Sequence, residues 1–131
     1  MRTLKFRAWD KERKRMSKPF KLGDQLLEWK DGIDIEMPLE FGISKNRLIV
    51  EQFTELFDIN GKEIYEGDIV KLYEYSAMNQ NSITPVICEI FWKEMFWHAK
   101  PVVNECGRQY SVWRAKFEIL GNIYETSELL N

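Results

Sequence analysis

Nucleophilic or metal chemistry in this chain would have to pass through very few side chains: one histidine, His98, and two cysteines, Cys88 and Cys106. A Ser-His-Asp or Cys-His device needs an imidazole within hydrogen-bond reach of the nucleophile and a third group to orient it. His98 lies instead between Trp97 and Ala99, with no G-x-S-x-G turn anywhere, and reads as a partly buried strand histidine. As metal ligands, Cys88, His98 and Cys106 lack the close pair that a structural zinc site uses. Asp58-Ile-Asn60-Gly61 opens like a calcium loop, but glycine comes at loop position 4 instead of 6, and Ile69 takes position 12, where a bidentate glutamate belongs. Glu66 and Asp68 are better read as solvated or turn-capping carboxylates than as an acid–base pair. No phosphate-cradling G-x-x-x-x-G-K-[ST] or G-x-G-x-x-G pattern occurs. The chain therefore reads as non-enzymatic, with no catalytic residue, no metal and no cofactor.

Binding is the chemistry that remains. Residues 1–21 carry nine Lys or Arg against Asp10 and Glu12, a local charge of +7 in a chain of net charge −2. Lys5, Arg7, Trp9, Arg13, Lys14 and Arg15, with Lys11, set cations beside an aromatic ring, the combination that grips single-stranded nucleic acid. Against this, the sequence pI of about 5.5 is acidic, whereas nucleic-acid domains are commonly basic overall. Five Trp, five Tyr and eight Phe are a heavy aromatic load for so small a core. Phe91, Trp92, Phe96 and Trp97, with Trp113, are candidates for an interface, where rings bury much area at low entropy cost. The first reading is a protein-binding, self-associating module, a homo-oligomer that also meets other proteins. The alternative is a nucleic-acid binder using the basic N-terminal hairpin.

The elements that must position these residues are strands. A chain of 131 residues, 44% hydrophobic and 31% charged, is the size of one domain able to bury a core without metal or disulfide. From Thr3 to Trp9, Leu4, Phe6 and Ala8 alternate with Lys5, Arg7 and Trp9, and the polar run Asp10 to Arg15 reads as the solvated tip of a hairpin. Asp24 as an N-cap suggests a short helix between Gly23 and Gly32. Strands are expected at Ile33 to Met37, closed by Pro38, and at Arg47 to Phe53. Asn60-Gly61 predicts a type I′ reversal, and Gly67 a left-handed turn residue before Asp68, launching a strand with Val70 and Leu72 inward. Ser76 to Ser82 reads as a loop. Val86 to Trp92 and Met95 to Lys100 form a hairpin, with Val86, Cys88, Ile90 and Trp92 sharing a face. Tyr110 to Ile119 is one long strand, Gly121 a turn glycine, and Thr126 or Ser127 the cap of a tail helix. No repeat, linker or low-complexity tract divides the chain. The expected fold is mainly β, a small antiparallel β-barrel-like domain with minor helix, spanning residues 1–131 as one unit. Two unpaired cysteines, no secretory leader and no apolar run near ~20 residues suggest a reduced cytoplasmic setting away from the membrane.

Three blocks, L-K-F-R-A-W-D, then Q-F-T-E-L-F-D-I-N-G-K-E-I-Y-E-G-D-I-V, then F-E-I-L-G-N-I-Y-E-T-S-E-L-L, stand together in order and spacing. In this the chain resembles the YopX family of bacteriophage and prophage proteins. The resemblance implies a small, mostly β, phage-encoded protein of the bacterial cytoplasm that self-associates, and it brings no established biochemical activity with it. Glu55 departs from the family's usual glycine, and Phe57 and Ile59 from polar or basic residues. The hairpin around Asn60 is thereby more apolar than its relatives, which offers an extra contact surface.

Overall fold

The first strand, β1 (Lys5–Asp10), runs from half-buried Lys5, Phe6 and Arg7 to buried Ala8, Trp9 and Asp10 in a computed structural model that describes residues 4–74, 86–93, 95–102, 110–111 and 115–126. The chain separates into two compact units, Met1–Phe53 and Thr54–Asn131. The first contains β1, β2 (Arg15–Met16), β3 (Phe20–Lys21), β4 (Glu28–Trp29), β5 (Gly32–Ile33), the six-residue helix α1 (Leu39–Ser44) and the start of β6 (Leu48–Phe57). β1 pairs antiparallel with β2 through Trp9↔Met16, with β3 through Phe6↔Phe20 and with β6 through Ala8↔Val50. That register gathers Ala8, Phe20, Leu27, Trp29, Met37 and Leu48 into one buried cluster.

Several expectations for this unit are corrected. Asp10 belongs to β1 and is fully buried, so only residues 11–14 form the exposed tip. Residues 23–32 make no helix. Leu27 and Trp29 are both buried, at strand spacing, and Gly32 at φ +121° lets the chain return as the β4–β5 hairpin. The extended stretch after Gly32 stops at Ile33, and Pro38 is the N-cap of α1 instead of a strand end, which suits a residue with fixed φ and no N–H.

The second unit continues with β7 (Glu63–Tyr65), β8 (Asp68–Glu74), β9 (Val86–Lys93), β10 (Phe96–Pro101), β11 (Tyr110–Ser111) and β12 (Ala115–Asn122). Its five-stranded antiparallel sheet has the order β11-β10-β9-β8-β12. The stretch expected to be one strand from Tyr110 to Ile119 is two, β11 on β10 at one edge and β12 on β8 at the other. One short piece of chain serving both edges means that the sheet curls, giving a half-barrel. Ile64, Val70, Leu72, Cys88, Ile90, Trp97, Ala99 and Phe117 fill its core, and Val70 and Leu72 face inward as the alternation predicts. Ile69, on the opposite parity, is buried too.

Turn chemistry fixes the connections. Asn60 keeps an ordinary negative φ while Gly61 sits at +81°, so the reversal is a type I turn followed by a left-handed glycine, not type I′. Gly67 at φ +84° is the left-handed residue before β8, and Asp68 Oδ2 accepts the N–H of Tyr65 at 2.7 Å. Gly121 is not in a turn but in β12, where the register slips between Ile119 and Gly121 and a Cβ would strike Thr126. Glu55 lies within β6 at φ +69°, a costly conformation for a residue with a side chain, at the position where the family's usual glycine would be at ease. The loop from Ser76 to Ser82, Cys106, Trp113 and the tail from Ser127 onward lie outside the described residues.

Among the described residues the fold is mainly β with one minor helix. Among the described residues, no helix is long and apolar enough to cross a membrane.

Candidate functional site

The basic hairpin is organised by a carboxylate. Asp10 ends β1 with its side chain fully buried, and its Oδ1 accepts the backbone N–H groups of Glu12 at 3.0 Å and Arg13 at 3.2 Å, closing the turn. Lys14 completes the reversal at φ +52°. Arg47, brought alongside by the pairing of β1 with β6, grips Asp10 with two prongs: Nε donates to Oδ1 at 3.0 Å and Nη2 to Oδ2 at 3.1 Å. Its third nitrogen lies 3.1 Å from Glu12. Arg15 approaches the same Asp10 at 3.4 Å and donates through Nη2 to Asp34 Oδ2 at 3.0 Å. Arg13 Nη1 donates to that same oxygen at 3.1 Å. The Arg15 guanidinium also stacks 4.0 Å from the centroid of the Trp29 ring.

Burial alone would raise the Asp10 carboxyl. The Arg47 hydrogen bonds, the Arg13 and Glu12 amides and the Arg47 charge outweigh it and hold the group below its ordinary value. The Asp34 carboxyl is held down in the same way, burial being overcome by the Glu36 amide and the Arg15 and Arg13 guanidiniums. Arg47 is pushed up, first by its hydrogen bond to Asp10. Arg13, Arg15, Asp31, Asp34 and Glu36 line an open cleft of about 280 Å³.

Arg13 and Arg15 are thus neutralised where they stand, as is Arg7. Arg7 Nε donates to Glu51 at 2.9 Å across the β1–β6 pair, and the Lys5 ammonium sits 5.4 Å from the Phe53 ring centroid. Trp9 is buried at 7% exposure, so the ring meant to accompany these charges is not displayed on the surface. Lys14 is exposed, with no ion pair among the described residues, and Lys11 reaches Asn46 at 3.0 Å. Sequence reading missed Arg47, Asp34 and Glu51, whose roles arise from pairing across 19 to 44 positions. The usable signal was Asp10 itself, an acid directly after the apolar pair Ala8-Trp9 and two residues before Glu12.

A second carboxylate organises the β6–β7 turn. Asp58 accepts the amides of Asn60 at 2.8 Å, Lys62 at 2.9 Å and, through its other oxygen, Ile119 at 3.2 Å. Its acidity is held below the usual range because these bonds outweigh burial. Phe57 and Ile59 beside it are 57% and 53% exposed.

The aromatic set divides. Trp97 joins the core, with Trp92 edge-on against it at 4.9 Å and 72°. At the β9–β10 tip Trp92, on the Trp97 face, Met95, and Phe96, on the opposite face with Lys93, are 47%, 78% and 67% exposed, with Met95 at φ +73°. Phe91 lies on the outer face opposite His98, their centroids 5.6 Å apart. Cys88 and His98 project to opposite faces of adjacent strands; the buried thiol is pushed up to about 11 by desolvation. Among the described residues, no three His, Cys, Asp or Glu side chains group as metal ligands would.

These features define a mainly β protein whose buried carboxylates fasten turns and whose exposed rings gather on hairpins. The chain belongs to the YopX family, whose model, described as YopX protein, matches residues 5–131. Among solved structures it is similar to protein EF1440 from Enterococcus faecalis, with 26% identity, a TM-score of 0.59 and 98% of each chain covered. It is also similar to protein yopX from Bacillus subtilis, with 18% identity and a TM-score of 0.54 over 99% of this chain and 98% of that one, a likeness of fold. No curated protein matches.

Proposed function

We propose that the chain is a non-catalytic accessory protein of a phage or prophage, working in the bacterial cytoplasm, that docks on other proteins and on a second copy of itself. The observation carrying this reading is the β9–β10 tip. A side chain at positive φ costs about 1–2 kcal/mol, and glycine or asparagine would avoid that cost. Met95 holds φ +73° while leaving its side chain 78% exposed between Trp92 and Phe96. A turn that accepts backbone strain in order to display an apolar side chain is better suited to contact than to solvent. Trp92, braced against the buried Trp97, would lose little freedom on docking. Phe57 and Ile59 supply a second exposed apolar pair.

The carboxylates near the N-terminal hairpin support a non-catalytic reading, since Asp10, Asp34 and Glu51 are each engaged by arginines. The same pairs weaken the hairpin as a phosphate-binding surface. Sedimentation velocity over a wide concentration range tests the proposal. The wild type should associate, and a Trp92→Ser, Met95→Gly double variant should remain monomeric with an unchanged circular dichroism spectrum. A wild type that stays monomeric at the highest concentration would remove self-association.

A further inference from the structure

We propose that the outer face of the β9–β10 hairpin binds single-stranded nucleic acid, a surface that shares only Phe96 with the self-associating tip. Strand alternation places Phe96, His98 and Lys100 of β10 on one face, where they meet Lys93, Phe91 and Glu89 of β9 respectively. Phe96 and His98 therefore present rings at successive outward positions, roughly 7 Å apart along the strand. Phe91 lies against the His98 ring at 5.6 Å, tilted by 32°. The His98 Nε2–H donates to the Lys93 carbonyl at 3.1 Å, which sets the ring's orientation.

Cations interleave with these rings. Lys93 is exposed and forms no ion pair among the described residues. Lys100, 49% exposed, rests 5.2 Å from the Phe91 centroid and 3.9 Å from Glu89, a loose arrangement from which its ammonium can swing to a phosphate. Rings that accept unstacked bases, with ammonium groups spaced to follow a backbone, are the recognition chemistry of single strands. A duplex hides its base faces, and an apolar partner would leave the lysines and His98 without a counterpart. The N-terminal hairpin offers the contrasting case, because its guanidiniums already hold carboxylates.

The test is fluorescence anisotropy of a labelled oligodeoxythymidine of about 20 nucleotides at low salt. Binding should weaken roughly tenfold in His98→Ala, the loss of about one stacked base. In Lys93→Glu, Lys100→Glu it should also weaken, with the salt slope shallower by at least about 1.4 for two lost phosphate contacts. A duplex of the same length should bind more weakly than the single strand. The lysines are exposed, so that double variant tests the face even if His98→Ala alters folding. The proposal is overturned if the wild type gives no anisotropy change at low salt. It is equally overturned if Lys11→Glu, Lys14→Glu abolishes binding while the β9–β10 variants bind as wild type.

Discussion

Removing the carboxylate of Asp10 should unfasten the N-terminal hairpin. In Asp10→Ala the Arg47 guanidinium, 17% exposed, loses both prongs, Arg15 loses its nearest buried charge, and the amides of Glu12 and Arg13 lose their acceptor. Removing one partner of a buried pair costs about 3–5 kcal/mol. Arg47 retains Glu12 and Arg15 retains Asp34, which puts the expected loss at the lower end, about 3 kcal/mol. With a urea dependence of about 1.5 kcal/mol per M, the unfolding midpoint should fall by about 2 M, read by circular dichroism. Asp10→Asn keeps an acceptor for the turn amides but turns an NH₂ toward Arg47, and should lose less. The pH dependence supplies a second readout. Because the folded carboxyl is held below its ordinary 3.8, the unfolded chain takes up its proton first as pH falls. The stabilisation is complete above the unfolded value and disappears as pH drops through the folded one, so acid destabilisation below about pH 4 should be shallower in Asp10→Asn than in wild type. A loss under about 1 kcal/mol in the alanine variant, together with an unchanged acid limb, would refute the role given to this carboxylate.

Lys14→Gly should raise stability by about 0.5–1 kcal/mol in the same urea titration, because φ +52° suits glycine and the exposed lysine makes no ion pair among the described residues. Gly42→Ala should cost about 1–3 kcal/mol, since the new methyl group would overlap the side chain of Leu48, a core residue with little room to move. Cys88, fully buried with its thiol pushed up to about 11, should resist iodoacetamide at neutral pH and be alkylated only in denaturant, as followed by intact mass.

Much of the fold was legible because it rests on local rules. The inward set Val86, Cys88, Ile90 could be read by parity, and Gly67 by its need for positive φ. Even Glu55, strained at φ +69°, was marked by standing where the family's usual glycine would be. The errors share a different origin. Residues 23–32 hold a plausible helix cap, yet Leu27 and Trp29 both had to enter the same core cluster, and strand spacing achieved that. Within the run from Tyr110 to Ile119, Trp113 to Ile119 alternate cleanly, but alternation says nothing about which neighbour a strand pairs with, and here the partner changes from β10 to β8.

For the candidate surfaces the division is sharper. The chain's order of residues alone determined that cations would cluster near the start, that rings would flank the β9–β10 turn, and that reversals would fall at Gly61 and Gly67. Only tertiary structure decided which charges and rings stay available. Pairing of β1 with β6 delivered Arg47 to Asp10 and Glu51 to Arg7, while the half-barrel took Trp97 into its core and left Trp92, Met95 and Phe96 outside. A side chain's charge and size are local properties; its partners and its exposure depend on segments that meet only after folding, and no spacing rule along the chain encodes that meeting.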